Sequence, residues 1–383
     1  MHRHAVVVDT HNDISEAIVW SGYDFAQRHA ETHSDLPRMK EGGLDAQIFS
    51  IWINPKRVPR EKWWAETEHE LVALREKLSK VPGVALATTA AEVRANKQRG
   101  LLSALFGVEG GHSLQPGSPD EQLARLRRLA ELGTRYLTLT WSISDDLGGS
   151  SGDEGRTQGL IDFGRRAIAE MERLGIVVDV SHLSEPLFWD AIRAAKKPVL
   201  ASHSSARQLA NVPRNLTDAQ LEAVKKNGGA VCVNFFSGFL DERYFHELRR
   251  IGEPMRDRLD PMLIVEQHRL VAPLLAALPP VPLAKLIDHI DHIAKVAGID
   301  HTCLGSDFDG IPAAPAGIDD VSKLPAITAE LLRRGYKEAD VAKILGGNVL
   351  RVLEANEPAH ASRENLRFDS GKSTPSAAQV RRP

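Results

Sequence analysis

The chain has 383 residues, 42% hydrophobic and 26% charged, a make-up able to bury a large core, so disorder of the whole is excluded. Its 48 basic and 51 acidic residues leave a formal charge of -3. That gives no global field to attract nucleic acid or an anionic membrane, and leaves a small molecule or peptide as the expected partner.

The first residues, Met1 to His4, lack the basic and apolar regions of a secretory signal. The expected location is cytoplasmic, although a chain begun at a mature terminus after export would look the same. No stretch approaches 18 uninterrupted apolar residues, so no membrane span is expected. The two cysteines, Cys232 and Cys303, each sit in an apolar run that suits a small buried residue, and they outline no disulfide framework.

Short β-rich runs occur at 5–9, 45–53, 102–108, 136–140, 176–180, 198–202, 230–234 and 302–305. Helical periodicity fills the gaps, as at 66–79, 120–132, 159–174 and 218–226, with Ser184 and Thr217 placed as N-caps. Eight strands alternating with helices predict an α/β fold, a (β/α)8 TIM barrel, with a doubly wound open sheet as the lesser alternative. The long seventh connection, 235–299, holds a charged stretch at 241–258 and an apolar one at 262–278. It is expected to be a helical insertion before the last strand, acting as a lid or as an oligomer face, for instance of a homodimer. Residues 358–383 are rich in Ser, Arg, Pro and Ala and are expected to form a disordered tail, leaving 1–357 as one domain.

Chemically able side chains fall where these runs end: His11 and Asp13 after the first, Glu109 after the third, His182 after the fifth, His203 after the sixth and Asp307 after the eighth. A closed barrel gathers the C-terminal ends of its strands at one mouth, where barrel enzymes place their sites. A lone histidine is more often structural than metal-bound, and the joint placement is what argues for a site.

Zinc takes imidazole nitrogen and carboxylate oxygen. His11 and Asp13, two apart, face the same way on an extended strand. Glu109 has two oxygens and could bridge two metals, and His182 and His203 could serve the second. Two zinc ions about 3.5–4 Å apart can share a hydroxide nucleophile at neutral pH. Amide hydrolysis then needs a carboxylate to move a proton, and Asp307 is placed for it. Arg214, on the loop after the sixth strand, could hold a substrate carboxylate by a bidentate contact, against the plainer reading of a solvated charge.

Some residues resemble sites without being placed for one. Asp288, His289, Asp291 and His292 have helical spacing, but a helix before the eighth strand ends at the opposite face of the barrel, so they are expected to be surface or helix-end groups. His2 and His4 fall to the same argument. Gly346-Gly347-Asn348 is read as a turn before the final helix.

The motifs Val-Asp-Thr-His-Asn-Asp at 8–13, Leu-Pro-Arg-Met-Lys-Glu-Gly-Gly at 36–43 and Gly-Val-Glu-Gly-Gly-His at 107–112 stand in order along the chain. Tyr-Leu-Thr-Leu-Thr at 136–140, Asp-Val-Ser-His at 179–182, Ser-His-Ser at 202–204, Asn-Val-Pro-Arg-Asn at 211–215 and Gly-Ser-Asp-Phe-Asp-Gly at 305–310 follow. In these the chain resembles the membrane dipeptidase (renal dipeptidase) family of zinc metallopeptidases, over about 6–352. The resemblance implies an amidohydrolase-type barrel with two zinc ions. It assigns His11 and Asp13 to one metal, His182 and His203 to the other, and Glu109 to the bridge. It further implies that Arg214 binds the dipeptide's C-terminal carboxylate and that Asp307 shuttles the proton. Family members cleave dipeptides, often with a D-residue at the C-terminal position, and some open β-lactam rings.

One departure stands out. Many family members carry a histidine directly after Thr-Leu-Thr, where this chain has Trp141. Imidazole can donate, accept or carry charge, whereas indole only donates. If Trp141 faces the substrate it narrows the pocket, and polarisation of the scissile carbonyl falls to zinc, to His112 or to another neighbour. The plainer reading is that Trp141 packs away from the site. The competing functions are another amidohydrolase activity, deacylation or deamination, and a metal-containing binding protein without turnover.

Overall fold

The computed structural model describes residues 1–153 and 158–358. Its strands are β1 (Val8–Asn12), β2 (Ala46–Ile51), β3 (Val84–Leu86), β4 (Leu102–Glu109), β5 (Thr134–Thr138), β6 (Val177–Asp179), β7 (Leu200–Ala201), β8 (Ala230–Val233) and β9 (Thr302–Leu304). All pair in parallel, in the order β1-β2-β4-β5-β6-β7-β8-β9, with β3 added beside β4 off that path. Parallel strands need crossovers, and the intervening helices supply them on the outside, giving an α/β TIM-type barrel.

The seam between β1 and β9 is closed differently from the others. One bridge joins Asn12 to Phe308. Beside it, Asp9 accepts from the backbone N–H and the hydroxyl of Ser306 (2.8 and 2.6 Å), and the Thr10 hydroxyl lies 3.1 Å from the carbonyl of Leu304. The first strand therefore begins and ends three residues later than its apolar run, because the polar residues Asp9 to Asn12 find partners inside the barrel. His11 accordingly lies within β1 rather than after it. The short β3 was not anticipated, and its three residues are only half-buried.

At the other end of the barrel, helix Asn348–Asn356 lays Val349, Leu350, Val352 and Leu353 against Val8, Ala46, Val177, Leu200 and Ala230 near the strands' beginnings. Burying each such aliphatic side chain is worth about 1.5–3 kcal/mol. The apolar floor thus holds the barrel, and the opposite mouth is free to carry polar groups.

Two expectations are corrected. Cys232 and Cys303 are buried as anticipated, but they are register partners on β8 and β9 and are joined as a disulfide. Their 71-residue separation gives no hint of adjacency, which only the strand order creates. His289 is not a surface or helix-end group. It lies fully buried on the inward stripe of helix Leu283–Val296, in phase with Leu286, Ile290 and Ile293. Its neighbours behave as surface groups: Asp288 and Asp291 pair with Arg334, and His292 with Asp218.

Between β8 and helix Leu283–Val296 the insertion forms helices Ser237–Leu240, Glu242–Gly252, Arg256–Leu259 and Ile264–Leu275. No helix among the described residues is long and apolar enough to cross a membrane. The expected tail, apart from Pro358, lies outside the described residues.

Candidate active site

The barrel brings together every strand-end residue singled out in the sequence. Glu109 sits at the centre, buried, at the end of β4. Its Oε1 is 2.8 Å from His182 Nε2 and 3.3 Å from His203 Nε2, and its Oε2 is 3.7 Å from His11 Nε2. His11 Nε2 is also 3.5 Å from Asp13 Oδ2. One carboxylate thus faces two imidazoles with one oxygen and the His11–Asp13 pair with the other. Asp307 joins His11 and Asp13 in a second group whose potential ligand atoms lie within 4.8 Å of one another, as do those of His11, Glu109 and His203.

This donor set fits a metal. Among the described residues, the buried His11 Nε2 and Asp13 Oδ1 have no hydrogen-bond partner. The Nε2 atoms of His182 and His203 face each other at 2.9 Å, although His203 Nδ1 is already engaged by the Ser202 hydroxyl at 2.8 Å. Two buried carboxylates, the half-buried Asp307 and three buried imidazoles with converging lone pairs are costly together unless a cation joins them.

The surroundings orient these groups. The Tyr136 hydroxyl meets His11 Nδ1 at 2.7 Å, leaving Nε2 to face the cluster. Tyr136 can stand upright inside the barrel because residue 107 is glycine, where a Cβ would lie 2.1 Å from its ring. Asp179 accepts from the backbone and hydroxyl of Ser202 (2.9 and 2.6 Å), so the residue beside His203 is fixed from β6. Asn234, after β8, donates to Asp307 Oδ2 at 2.7 Å. His182 and Asp307 hold positive φ angles of 68° and 61°, a backbone cost often found at functional sites.

Electrostatics separate the carboxyls. Burial pushes the Asp307 carboxyl well above its ordinary range. Burial also opposes ionisation of Glu109, but the charge and hydrogen bonds of His11, with those of His182 and His203, outweigh it and hold Glu109 well below the usual range. Burial, reinforced by Arg214, lowers His182 to about 4, so its imidazole is neutral and able to ligate.

Above the cluster lies a cavity of about 400 Å³, the size of a small-ligand site. Asp13, Glu109, His182 and Asp307 form its base, Trp52 and Trp141 one wall, and Arg214, Phe236 and Phe239 another. Ile264, His268 and Val271 of the insertion line a further side, its roof, so this segment reaches the site. Arg214 donates to the His203 carbonyl at 3.1 Å and stacks on Phe239, its Cζ 5.2 Å from the ring centre. Its buried Nε and Nη1 have no hydrogen-bond partner among the described residues.

Trp141 faces the cavity, 4.8 Å from Trp52 between ring centres and 6.5 Å from His182, so the reading in which it packs away is overturned. Nor can His112 replace an imidazole there. It is wholly buried, its Nε2 donates to the Ile53 carbonyl at 2.9 Å, and it does not line the cavity.

The sequence reading missed Tyr136, Asn234, Ser202 and Trp52. A usable signal existed for Asn234, the polar residue that ends the buried apolar run 230–234. Tyr136 and Trp52 are indistinguishable by pattern from core aromatics.

The profile of the membrane dipeptidase family, peptidase family M19, matches residues 1–366. An uncharacterized dipeptidase of Schizosaccharomyces pombe is 33% identical over 379 residues, covering 93% of this chain and 81% of the relative. Among solved structures, the dipeptidase AC, a metallopeptidase of the same family, is 30% identical, with a TM-score of 0.73 over 93% of this chain and 99% of its own. A metallopeptidase of Rhodobacter sphaeroides, bound to a phosphinate mimic of L-Ala-D-Ala, is 28% identical, with a TM-score of 0.72 over 92% and 99%. Fold, carboxylate–imidazole cluster and full-length match agree, and the chain belongs to the membrane dipeptidase family of metallopeptidases, hydrolases of peptide bonds.

Proposed function

We propose that the protein hydrolyses dipeptides with two zinc ions, one held by His11 and Asp13, the other by His182 and His203, with Glu109 shared between them. The observation that carries this reading is the division of Glu109, one oxygen toward His182 and His203 and the other toward His11. Bound zinc would supply an acidified water as nucleophile and polarise the scissile carbonyl.

The chain's own groups supply the rest. Asn234 occupies Asp307 Oδ2, which leaves Oδ1 to take the proton from the attacking water and return it to the departing amine. A carboxyl raised by burial suits this exchange better than one at its ordinary value. Arg214 offers two buried, unpartnered nitrogens to the C-terminal carboxylate. Trp141 can donate one hydrogen bond to the substrate but provides no cation for the developing oxyanion, and with Trp52 it excludes water. A D-residue at the C-terminal position is part of this proposal, supported by the L-Ala-D-Ala mimic on the Rhodobacter sphaeroides relative.

The test is to incubate zinc-loaded protein with a panel of L,L and L,D dipeptides. Release of both free amino acids is expected. Ammonia without peptide cleavage would replace this reading with deamination. Tight peptide binding with full metal loading and no turnover would favour a binding protein, a reading that Trp141 in place of histidine motivates.

A further inference from the structure

Helix Leu283–Val296 lies outside the barrel, yet His289 reaches inward to two loops at once. The backbone N–H of Ala206 donates to its Nδ1 at 3.1 Å. Nε2 must then carry the proton, and it faces the carbonyl of Leu240 at 3.2 Å. One neutral ring thus bridges the loop after β7 and the first turn of the insertion. Burial favours that neutral form, lowering the imidazole to about 4.

Each bridged segment carries half of the seat of Arg214. On the first, Ala206 bridges to Leu216, with Leu216 donating to the Ser205 carbonyl and Arg207 to the Leu216 carbonyl, both at 2.8 Å. These bonds close the loop that bears Arg214. On the second, Leu240 directly follows Phe239, whose ring supports the guanidinium. Asn215 adds a parallel tie, donating to the Phe239 carbonyl at 2.8 Å. A buried N–H and a buried carbonyl facing one another across a gap need a spacer with one acceptor and one donor, and imidazole is the side chain that offers both on a rigid ring.

We propose that His289 is a positioning residue for Arg214: it clamps the loop bearing the guanidinium to the segment bearing Phe239, and so fixes the recognition of a C-terminal carboxylate. The inference rests on the reading of Arg214 given above. It predicts that loss of the clamp weakens binding of that carboxylate while the zinc cluster is unaffected, because its one member on the clamped loop, His203, is fixed separately through Ser202 and Asp179.

The experiment compares His289→Leu, His289→Asn, His289→Gln and Arg214→Met with the unaltered zinc-loaded protein, on a dipeptide and on its C-terminal amide. His289→Leu should raise KM for the free dipeptide about tenfold, with kcat changed by less than about threefold and KM for the amide unchanged. Asn can accept from Ala206 and Gln can donate to Leu240, so these two variants should fall between Leu and the native protein. Metal content should be the same in all. If Arg214→Met discriminates between the two substrates and the His289 variants do not, the clamp is wrong while the arginine reading stands. If Arg214→Met does not discriminate either, the arginine reading is overturned and the clamp with it. Should His289→Leu fail to fold, the same comparison on His289→Asn decides.

Discussion

The rim of the barrel and the segment roofing it are built on opposite principles. The rim residues stand on or just beyond the parallel strands of the barrel, and Glu109, His11, His182, His203 and Asp13 are all buried. Between its anchored ends the roof is tied to the barrel more sparsely. Ile264 donates its backbone N–H to Glu16 at 2.6 Å, and Asn54 donates to the Asp260 carbonyl at 2.8 Å. Helix Glu242–Gly252 buries only Tyr244, and helix Ile264–Leu275 only Val271 and Leu275. The rigid part carries the chemistry, and the part with few buried contacts covers the substrate, as expected where opening must be cheap.

Substitutions at the rim should therefore act on turnover or metal, and those at the roof on substrate affinity. The largest effect is expected for Asp307→Asn, which should keep its metal and lose turnover by about 10²–10⁴-fold. Metal analysis beside kcat checks this, and loss of metal in that variant would contradict a proton-moving role. Arg214→Met should reduce kcat/KM on free dipeptides by about 10- to 100-fold, the worth of a hydrogen bond to a charged group, with little change on amidated ones.

Tyr136→Phe removes the group that orients His11 and should weaken metal affinity by about tenfold or somewhat more, measurable by competition with a chelator. An unchanged affinity would make Tyr136 a packing residue only.

The smallest effect is expected where the barrel holds the roof, from Glu16→Gln. Burial raises the Glu16 carboxyl to about 7 from an ordinary 4.5, despite the Ile264 N–H and Arg57. A group raised on folding favours the folded state most when protonated, so its contribution is full below about 4.5 and is lost as pH rises through about 7. Glu16→Gln should flatten the fall in melting temperature across that window and alter KM by no more than about threefold. A loss of metal or of kcat would mean that the roof and the rim are not separable.

The rim was legible because a polar residue at the end of a buried apolar run has no packing reason to be there; Glu109 and His203 follow their runs directly, and His11 and Asp307 come one residue later. The roof was legible only as a segment too long for a plain crossover. Side chains that work by reaching across the barrel were not legible. The role of Tyr136 depends on Gly107 of the neighbouring strand, and Cys232 meets Cys303 only through register. His289 was hidden among charged neighbours, although its helical phase with Leu286 and Ile293 was a usable sign of burial. The expectation that His112 might stand in for the missing imidazole failed because the turn after Glu109 directs that ring down toward Ile53.

The seam joining the first strand to the last carries one further implication. Asp9 and Thr10 hold Ser306 and Leu304 across it, and Asp13 and Asp307 sit just above. Closing the cylinder and completing the reactive centre are thus a single event, which waits for the ninth strand to dock on the earliest one. A polypeptide still emerging from the ribosome lacks Asp307 until its ninth strand has been made, so latency during synthesis is written into the order of the strands.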